Sequence, residues 1–321
     1  MTLLAANPSG AEVRTELAEV AGIPVRPRFE GMNIGTWLGF KHLNYLVEEA
    51  VLDYLRGYGT GPAELYQRYG LCVDIADLDT RIPSALRVDD TATAVVRPRA
   101  VDRPGLGLDV AIERDGRKVV GSRVRVLFRQ APRDAGDLAE PPPPHLAPYV
   151  VPGWDGAAPS PAGATGDELL ARLTEGRNAF GWRLTIPYFY CHFSRAIQMS
   201  GYLRIMEEVV HRFLAARGVS VHRLVAEQGW IPAVPHSRLS ILDEAGMEEE
   251  LYVRFTVTQV FKRLTYTADV DCFVVRDGLL QPTATGRITH GYAHLSGRSD
   301  WGLVEFDDRL AKALEGEETA S

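Results

Sequence analysis

A histidine and two adjacent glutamates in the second half of the chain are well suited to acid–base chemistry. His192 lies just before a predicted helix over residues 200–216, and Glu207 and Glu208 interrupt the apolar stripe of that helix. Imidazole titrates near neutral pH, so His192 could act as a general base on water. A carboxylate in an apolar helix must face a cleft or be paired, so Glu207 or Glu208 could orient that base or act as a nucleophile. The alternative is that His192 is structural and that one glutamate is merely solvated.

Further polar side chains near the start of this helix could contact a substrate. Ser194 and Arg195 could bind a carbonyl or a phosphate, although a serine before a helix is more often a cap. Gln198 and Tyr202 could line a slot. Tyr202 also lies on the apolar stripe of the helix, so a place in the core is its alternative role.

Two segments show the apolar spacing of a helix, with residues at i, i+3, i+4 and i+7. In the first half these are Leu43, Leu46, Val47, Ala50, Val51, Tyr54 and Leu55. In the second half they are Tyr202, Ile205, Met206, Val209, Val210, Phe213 and Leu214. The spacing predicts helices over residues 41–56 and 200–216. Each is followed by a glycine, a short helical turn ending in another glycine, and a long run of strand-like segments.

The two halves align with each other at an offset of 159 residues. The aligned pairs include Glu48 with Glu207, Glu49 with Glu208, Gly59 with Gly218 and Gly70 with Gly229. Further on the offset becomes 162, where two Arg-Asp-Gly hairpin signals, at 114–116 and 276–278, coincide. Apolar periodicity alone would not align the glycines, so the sequence indicates an internal duplication.

The duplication gives the first half its own candidate residues. Asn33 is the counterpart of His192, so the first half lacks the histidine. Asn33 and Thr36 could form a second polar pocket, although turn chemistry explains both residues equally well. Glu48 has the same two interpretations as its counterpart Glu207.

Composition divides the chain and excludes several classes of protein. A Pro/Gly/Ala-rich segment separates the halves, which predicts an N-terminal extension (1–24), a first domain (25–130), a linker (131–168), a second domain (169–297) and a tail (298–321). The net charge of −7, without a long basic cluster, argues against a nucleic-acid partner. No apolar run reaches the length of a membrane span and no signal peptide is evident, so we expect a cytoplasmic protein.

No metal site is predicted. The three cysteines are far apart and show no CxxC spacing, which makes them buried apolar residues rather than ligands. His290 and His294 would share one face of a helix, but their segment has the character of a strand and no third ligand is evident.

Resemblance to a known family is carried by three segments of the second half, GYLRIMEEVVHRFLAARG, VSVHRLVAEQGWIPAVPHSRLSIL and EEELYVRFTVTQVFKRLTYTADVDCFVVRDG. They resemble the hydroxybenzoyl-CoA and acyl-CoA thioesterase branch of the hotdog superfamily, and the first half repeats them more weakly. The order of strand, long helix and antiparallel strands is itself typical of an α+β protein. The resemblance implies a tandem (double) hotdog, with two antiparallel sheets each wrapped around one long helix. Plant-type acyl-carrier thioesterases are built in this way.

The resemblance implies an enzyme that hydrolyses an acyl-CoA or acyl-carrier-protein thioester, in fatty-acid or polyketide metabolism. Enzymes of this branch place an Asp, or an Asn and His pair, in the loop before the helix, and His192 stands at that Asp position. Two hotdogs form two clefts, each combining the loop of one half with the helix of the other. The divergence of Asn33 and His192 suggests that one cleft is active and the other relaxed.

A second resemblance competes with the first. Cys191-His192-Phe193, followed by Met199, Gly201 and Leu203, is similar to the motif of beta-hydroxyacyl-carrier dehydratases. Ser200 stands where that family has Pro, and the carboxylate expected on the helix falls on Met206. This departure turns the nearest carboxylate, that of Glu207, by about 100° around the helix, which weakens the dehydratase interpretation.

The expected partner is an acyl-CoA or an acyl carrier protein. No separate cofactor is expected, because the acyl group arrives already joined to CoA or phosphopantetheine, and a homodimer is the assembly considered. Three alternative functions are a 3-hydroxyacyl-thioester dehydratase, an acyl-transfer or decarboxylating tailoring enzyme, and a module that binds an acyl carrier without turnover.

Overall fold

The structure is a computed structural model. It describes residues 16–131, 140–295 and 302–316. The sequence also predicts frayed termini at the first ten residues and at EGEETAS, and these lie almost wholly outside the described residues. The first half contains β1 (Val20–Val25), α1 (Phe40–Arg56), α2 (Pro62–Tyr69), β2 (Leu71–Arg81), β3 (Ala92–Arg99), β4 (Leu106–Arg114) and β5 (Arg117–Gln130). The long helix agrees with the one predicted over residues 41–56.

The connecting segment and the second half follow. The connection contains β6 (Val150–Val151), β7 (Ser160–Pro161) and α3 (Gly166–Thr174). The second half contains β8 (Ala179–Thr185), α4 (Met199–Ala216), α5 (Val221–Gln228), β9 (Trp230–Ile241), β10 (Glu250–Phe261), β11 (Thr265–Arg276) and β12 (Leu279–His294). A last helix, α6 (Asp308–Glu315), follows. The sequence predicted neither α3 and α6 nor a start of β1 as early as Val20.

Backbone geometry at the aligned glycines confirms the duplication. Gly70 and Gly229 end α2 and α5 in the left-handed conformation, with φ of 66° and 65°. Both Arg-Asp-Gly segments form the predicted hairpin turns, with positive φ at the aspartate and at the glycine. In each case glycine supplies a conformation that most side chains disfavour. The same local structure therefore recurs at the offsets found in the sequence.

The two predicted sheets join into one continuous sheet. Its strand order is β1-β3-β4-β5-β2-β9-β12-β11-β10-β8, and the halves meet where β2 pairs antiparallel with β9. At this seam residues 77–81 pair with 236–240. The sheet curls around α1 and α4, which contact each other and bury their apolar stripes against it. Joining the two edges removes an exposed strand edge from each half.

The connecting segment pairs with strands of both halves. β6 pairs in parallel with β5, and β7 pairs with β12 of the second half. Trp154 stacks on the guanidinium of Arg129 with 4.4 Å between the guanidinium carbon and the ring centroid. Asp155 forms an ion pair with Arg125, with 2.7 Å between Asp155 Oδ2 and Arg125 Nη2. The described part of the segment is thus fastened to both halves.

A buried ion pair with Asp74 holds the Arg129 side chain on which Trp154 stacks. Arg129 Nε lies 2.9 Å from Asp74 Oδ2, and its Nη1 lies 2.9 Å from Glu244 Oε1. The carboxylate of Asp74 is only 1% exposed. Burial raises the pKa of Asp74, and the charge of Arg129 and its hydrogen bond oppose the shift.

We expect Arg129→Met to lower the free energy of unfolding by about 3–5 kcal/mol, because it leaves the Asp74 carboxylate buried without an opposite charge. Urea denaturation at pH 7 measures the change. Arg123→Met is the matched control, since Arg123 lies on the same strand, is exposed and has no ion pair among the described residues. Its effect should stay below about 0.5 kcal/mol. Equal losses in the two variants would contradict the assignment.

Candidate active site

An apolar slot lies between the two halves at the N-terminus of α1. The loop before α1 supplies Asn33 and Gly39, and the middle of α4 supplies Glu207 and His211. The slot has a volume of about 200 Å³. Its apolar walls come from both halves and comprise Leu38, Phe40, Leu43, Ile82, Val210, Val221, Val234 and Ile288. The loop of one half and the helix of the other therefore form this cleft, as expected for a tandem hotdog.

A surface groove meets the slot at the side chains of Glu207 and His211. The groove has a volume of about 600 Å³, and its lining includes Lys41, Tyr190, Arg204, Glu207 and His211. Glu207 and His211 line both spaces. They consequently stand at the junction between an open polar groove and an apolar slot.

An ion pair across the two helices fixes one of these side chains. Lys41 Nζ, in the first turn of α1, lies 2.5 Å from Glu207 Oε2 on α4. Both side chains are less than one-third exposed, at 19% and 30%. The pair holds the Glu207 carboxylate beside the N-terminus of α1. In the duplicated arrangement the counterpart of Lys41 is Ser200.

His211 follows Glu207 by one helical turn, which places the two side chains on the same face of α4. Burial lowers the pKa of His211 below its usual value. The Glu207 and Glu208 carboxylates oppose this shift, and the Lys41 ammonium adds to it. The imidazole is therefore neutral at pH 7 and able to accept a proton.

The loop before α1 is positioned by Asn33. Its Nδ2 donates to the carbonyl of Pro232 in the other half at 3.0 Å, and its Oδ1 accepts from the Ile34 backbone N–H at 2.8 Å. Helix α1 begins after Gly39 without a side-chain cap. Its first backbone N–H groups thus remain available to polarise a carbonyl at the end of the slot.

The structure does not bring His192 together with Glu207 or Glu208. His192 is exposed on the loop before α4, and among the described residues no hydrogen bond or ion pair joins it to either glutamate. The next residue, Phe193, packs against Tyr66 of the first half, with ring centroids 5.6 Å apart. The pairing of His192 with a glutamate of its own half therefore has no support from these contacts and stays a prediction, whereas the helix of one half faces the loop of the other in the slot.

The other predicted residues of the second half have local contacts. Glu208 lines the surface groove but is held by Arg212 at 2.6 Å, one turn along the helix. Tyr202 is 1% exposed, so it belongs to the core and not to a slot. The buried Gln198 donates from Nε2 to Ser194 Oγ at 2.8 Å, which ties the loop to the start of α4. Arg195 is exposed.

In the first half, Thr36 is exposed and Glu48 lies on α1 at the position that corresponds to Glu207. Glu48 has no ion pair among the described residues, in contrast to the Lys41–Glu207 pair. Burial, together with the nearby charge of Glu49, raises the pKa of Glu48 to about 7. The two related positions therefore differ in electrostatics.

We expect Glu48→Gln to raise stability above pH 7. A carboxyl group whose pKa is raised in the folded state makes its full contribution to the free energy of unfolding below its unfolded pKa of 4.5. This contribution is lost as the pH rises to about 7. Glutamine stays neutral, so the variant should gain roughly 1–3 kcal/mol at pH 8, after allowance for partial exposure. Urea denaturation at pH 4 is the internal control, because both proteins should then be equally stable. A difference independent of pH would contradict this expectation.

Three residues of the cleft were missed as site candidates in the sequence. Lys41 and His211 were not singled out, and His290, which lines the slot, was considered only as a metal ligand. The spacing of Glu207 and His211, four residues apart on a predicted helix, could have identified His211. No local signal could have identified Lys41, because its partner is 166 residues away. Among the described residues, no group of three His, Cys, Asp or Glu side chains could hold a metal ion.

Comparison with solved structures identifies the architecture. An acyl-ACP thioesterase of Bacteroides thetaiotaomicron is 11% identical, with a TM-score of 0.54 over 85% of this chain and 97% of that chain. A 12:0-ACP thioesterase of Umbellularia californica is 11% identical, with a TM-score of 0.56 over 86% of this chain and 94% of that chain. A protein assigned as an oleoyl thioesterase of Lactobacillus plantarum is 12% identical, with a TM-score of 0.58 over 86% of this chain and 96% of that chain. The fold is a double hotdog.

The double hotdog confirms the α+β fold class and the resemblance found in the sequence. Residues 188–314 match the family model of the thioesterase-like superfamily. The second hotdog is therefore similar to this superfamily, and the match supports the prediction of a hotdog thioesterase. No curated protein sequence matches the chain. Among the described residues, no helix is long and apolar enough to span a membrane.

Proposed function

We propose that the double hotdog hydrolyses an acyl thioester of CoA or of an acyl carrier protein, in the cleft formed by Asn33, Glu207 and His211. The observation that carries the proposal is the position of Glu207 and His211 where the surface groove meets the apolar slot. The match to the thioesterase-like superfamily supports the proposal. The solved neighbours named as acyl-ACP thioesterases support the same substrate class.

In this proposal the acyl group occupies the slot and the phosphopantetheine arm lies in the groove. The apolar walls favour an acyl group through burial of its hydrocarbon surface. The thioester carbonyl then lies at the N-terminus of α1, where free N–H groups and the helix dipole stabilise developing negative charge. Asn33 acts as a positioning residue, because it ties the loop before α1 to the opposite half.

The neutral His211 serves as general base. It removes a proton from water as the oxygen attacks the carbonyl carbon, and the resulting tetrahedral intermediate expels the thiolate as the C–S bond breaks. The thiolate regains a proton from the imidazolium, which yields a carboxylic acid and a free thiol. The Glu207 carboxylate orients the water and stabilises the transient imidazolium charge.

Incubation with a panel of acyl-CoA and acyl-carrier thioesters tests the proposal. The panel includes acyl groups typical of fatty-acid and of polyketide synthesis, and mass spectrometry follows the products with a thiol reagent. We expect equal amounts of free thiol and carboxylic acid, with none from a His211→Leu/Glu207→Gln double variant. An enoyl thioester, an acyl-enzyme that transfers its acyl group, or saturable binding without product would each contradict hydrolysis.

A further inference from the structure

A buried histidine forms part of the slot wall. His290, on β12, is 3% exposed and lines the slot. Its Nδ1 is buried without a hydrogen-bond partner among the described residues. Glu207 and His211 also border the groove, whereas His290 does not. A polar ring thus lines the slot but not the groove.

Aromatic neighbours hold this imidazole in place. His290 lies directly opposite Tyr266 in the β11–β12 ladder, and the two rings stack with centroids 5.2 Å apart. The ring of Tyr292, two residues further along the strand, lies 5.2 Å from the imidazole. These contacts fix the ring without pairing Nδ1.

The fold does not require an imidazole at this position. In the first half the strand position of His290 is held by Val126, which is fully buried. Both residues lie four positions before the end of their strands, at His294 of β12 and Gln130 of β5, and the residues paired with those ends, Trp230 and Leu71, differ by the offset of 159. A polar atom that is buried without a hydrogen-bond partner destabilises the folded state. An apolar side chain such as valine would avoid this cost, so a ligand with a complementary polar group explains a histidine here better than packing does.

The volume of the slot limits the acyl group. A protein cavity of about 150 Å³ accommodates benzene, which corresponds to roughly 25 Å³ for each carbon atom. By this measure a slot of about 200 Å³ holds about eight non-hydrogen atoms. A long fatty acyl chain would not fit within it.

We propose that the slot selects a short acyl group, of about eight non-hydrogen atoms or fewer, that carries a neutral oxygen bonded to His290. This inference rests on the proposed function, because it takes the slot to be the acyl site. The oxygen belongs to a hydroxyl or a ketone. His290 is then a specificity-determining residue and not a catalytic one.

The electrostatics of the slot favour a neutral oxygen over a carboxylate. Burial, together with the charge of His211, lowers the pKa of His290 to about 3. The imidazole is therefore uncharged at neutral pH and offers a hydrogen bond but no ion pair. A carboxylate on the acyl group would have to lose its hydration without gaining an opposite charge from His290.

Pantetheine analogues in which a methylene group separates the sulfur from the carbonyl test the inference, because they cannot be hydrolysed. Four acyl groups are compared by calorimetry: hexanoyl, 3-hydroxyhexanoyl, 5-hydroxyhexanoyl and dodecanoyl. We expect one of the hydroxylated analogues to bind about 10-fold tighter than the hexanoyl analogue, and the dodecanoyl analogue to bind about 10-fold weaker. The pantetheine moiety is common to CoA and to carrier proteins, so the result applies to both.

Two variants separate recognition from packing. His290→Phe keeps a planar ring but removes both ring nitrogens, and it should reduce the affinity ratio between hydroxylated and plain analogues to about one. His290→Gln keeps a hydrogen-bonding side chain and should retain part of the preference. Circular dichroism and melting temperature establish that both variants fold.

The outcomes distinguish this inference from the proposed function. Selective binding of a hydroxylated analogue without hydrolysis of any thioester would overturn the proposed hydrolysis and leave the specificity of the slot intact. Hydrolysis of thioesters with no preference for either hydroxylated analogue, or with tightest binding of the dodecanoyl analogue, would overturn the inference alone.

Discussion

His211→Leu is expected to lower kcat/KM for thioester hydrolysis by about 10²–10⁴-fold, the range for loss of a general acid–base group. Leucine stands at the counterpart position of α1, Leu52, so the change suits the helix. Leucine cannot accept a proton from water, whereas the apolar walls of the slot remain. Release of thiol measures the effect, and circular dichroism establishes that the variant is folded.

The pH profile adds a second readout for His211. Because its pKa lies below the usual 6.5, kcat/KM of the wild type should rise with pH through a pKa under 6.5 and then stay level. This acidic limb should disappear in the residual activity of His211→Leu. His222→Leu is the control, since His222 is exposed on α5 and should retain wild-type turnover.

The same assay decides between the two clefts. His192→Ala should have little effect on kcat/KM, because His192 is exposed and, among the described residues, no hydrogen bond or ion pair joins it to Glu207. If His192→Ala abolishes turnover while His211→Leu does not, the active cleft is the one that combines the loop before α4 with helix α1.

Glu207→Gln is expected to lower kcat/KM by about 10²–10³-fold, the range for removal of one preorganised electrostatic contact. The amide preserves size but loses the charge that stabilises the imidazolium. Since the Glu207 carboxylate raises the pKa of His211, its loss should also move the acidic limb of the profile to lower pH. A residue with a purely structural role would lower stability without this shift.

The duplication supplies a matched control for Glu207. Glu48→Gln makes the same chemical change at the corresponding position of α1, where no lysine is paired with the carboxylate. It should leave kcat/KM within about 2-fold of wild type, since a substitution outside the site of chemistry removes no transition-state contact. Equal losses of turnover in the two variants would refute the assignment of a single active cleft.

The sequence by itself determined the elements and their repetition. Apolar spacing predicted helices over residues 41–56 and 200–216, and the structure has them at Phe40–Arg56 and Met199–Ala216. Aligned glycines located the ends of α2 and α5 and the two hairpins. These features depend on local periodicity and on backbone conformations that glycine favours, and both are written in short stretches of residues. Asn33 and Glu207 could also be selected as candidate site residues from the sequence, because the alignment of the two halves and the predicted helices place them.

Only the tertiary structure decided which of these residues meet. Pairing of β2 with β9 sets the two hotdogs edge to edge, and this brings Lys41 to Glu207 and Asn33 to the carbonyl of Pro232. Contacts between residues so far apart in sequence depend on the register of the seam and on the packing of α1 against α4. Local periodicity encodes neither. For the same reason the sequence placed Glu207 with His192, whereas the fold places it in the opposite cleft with His211.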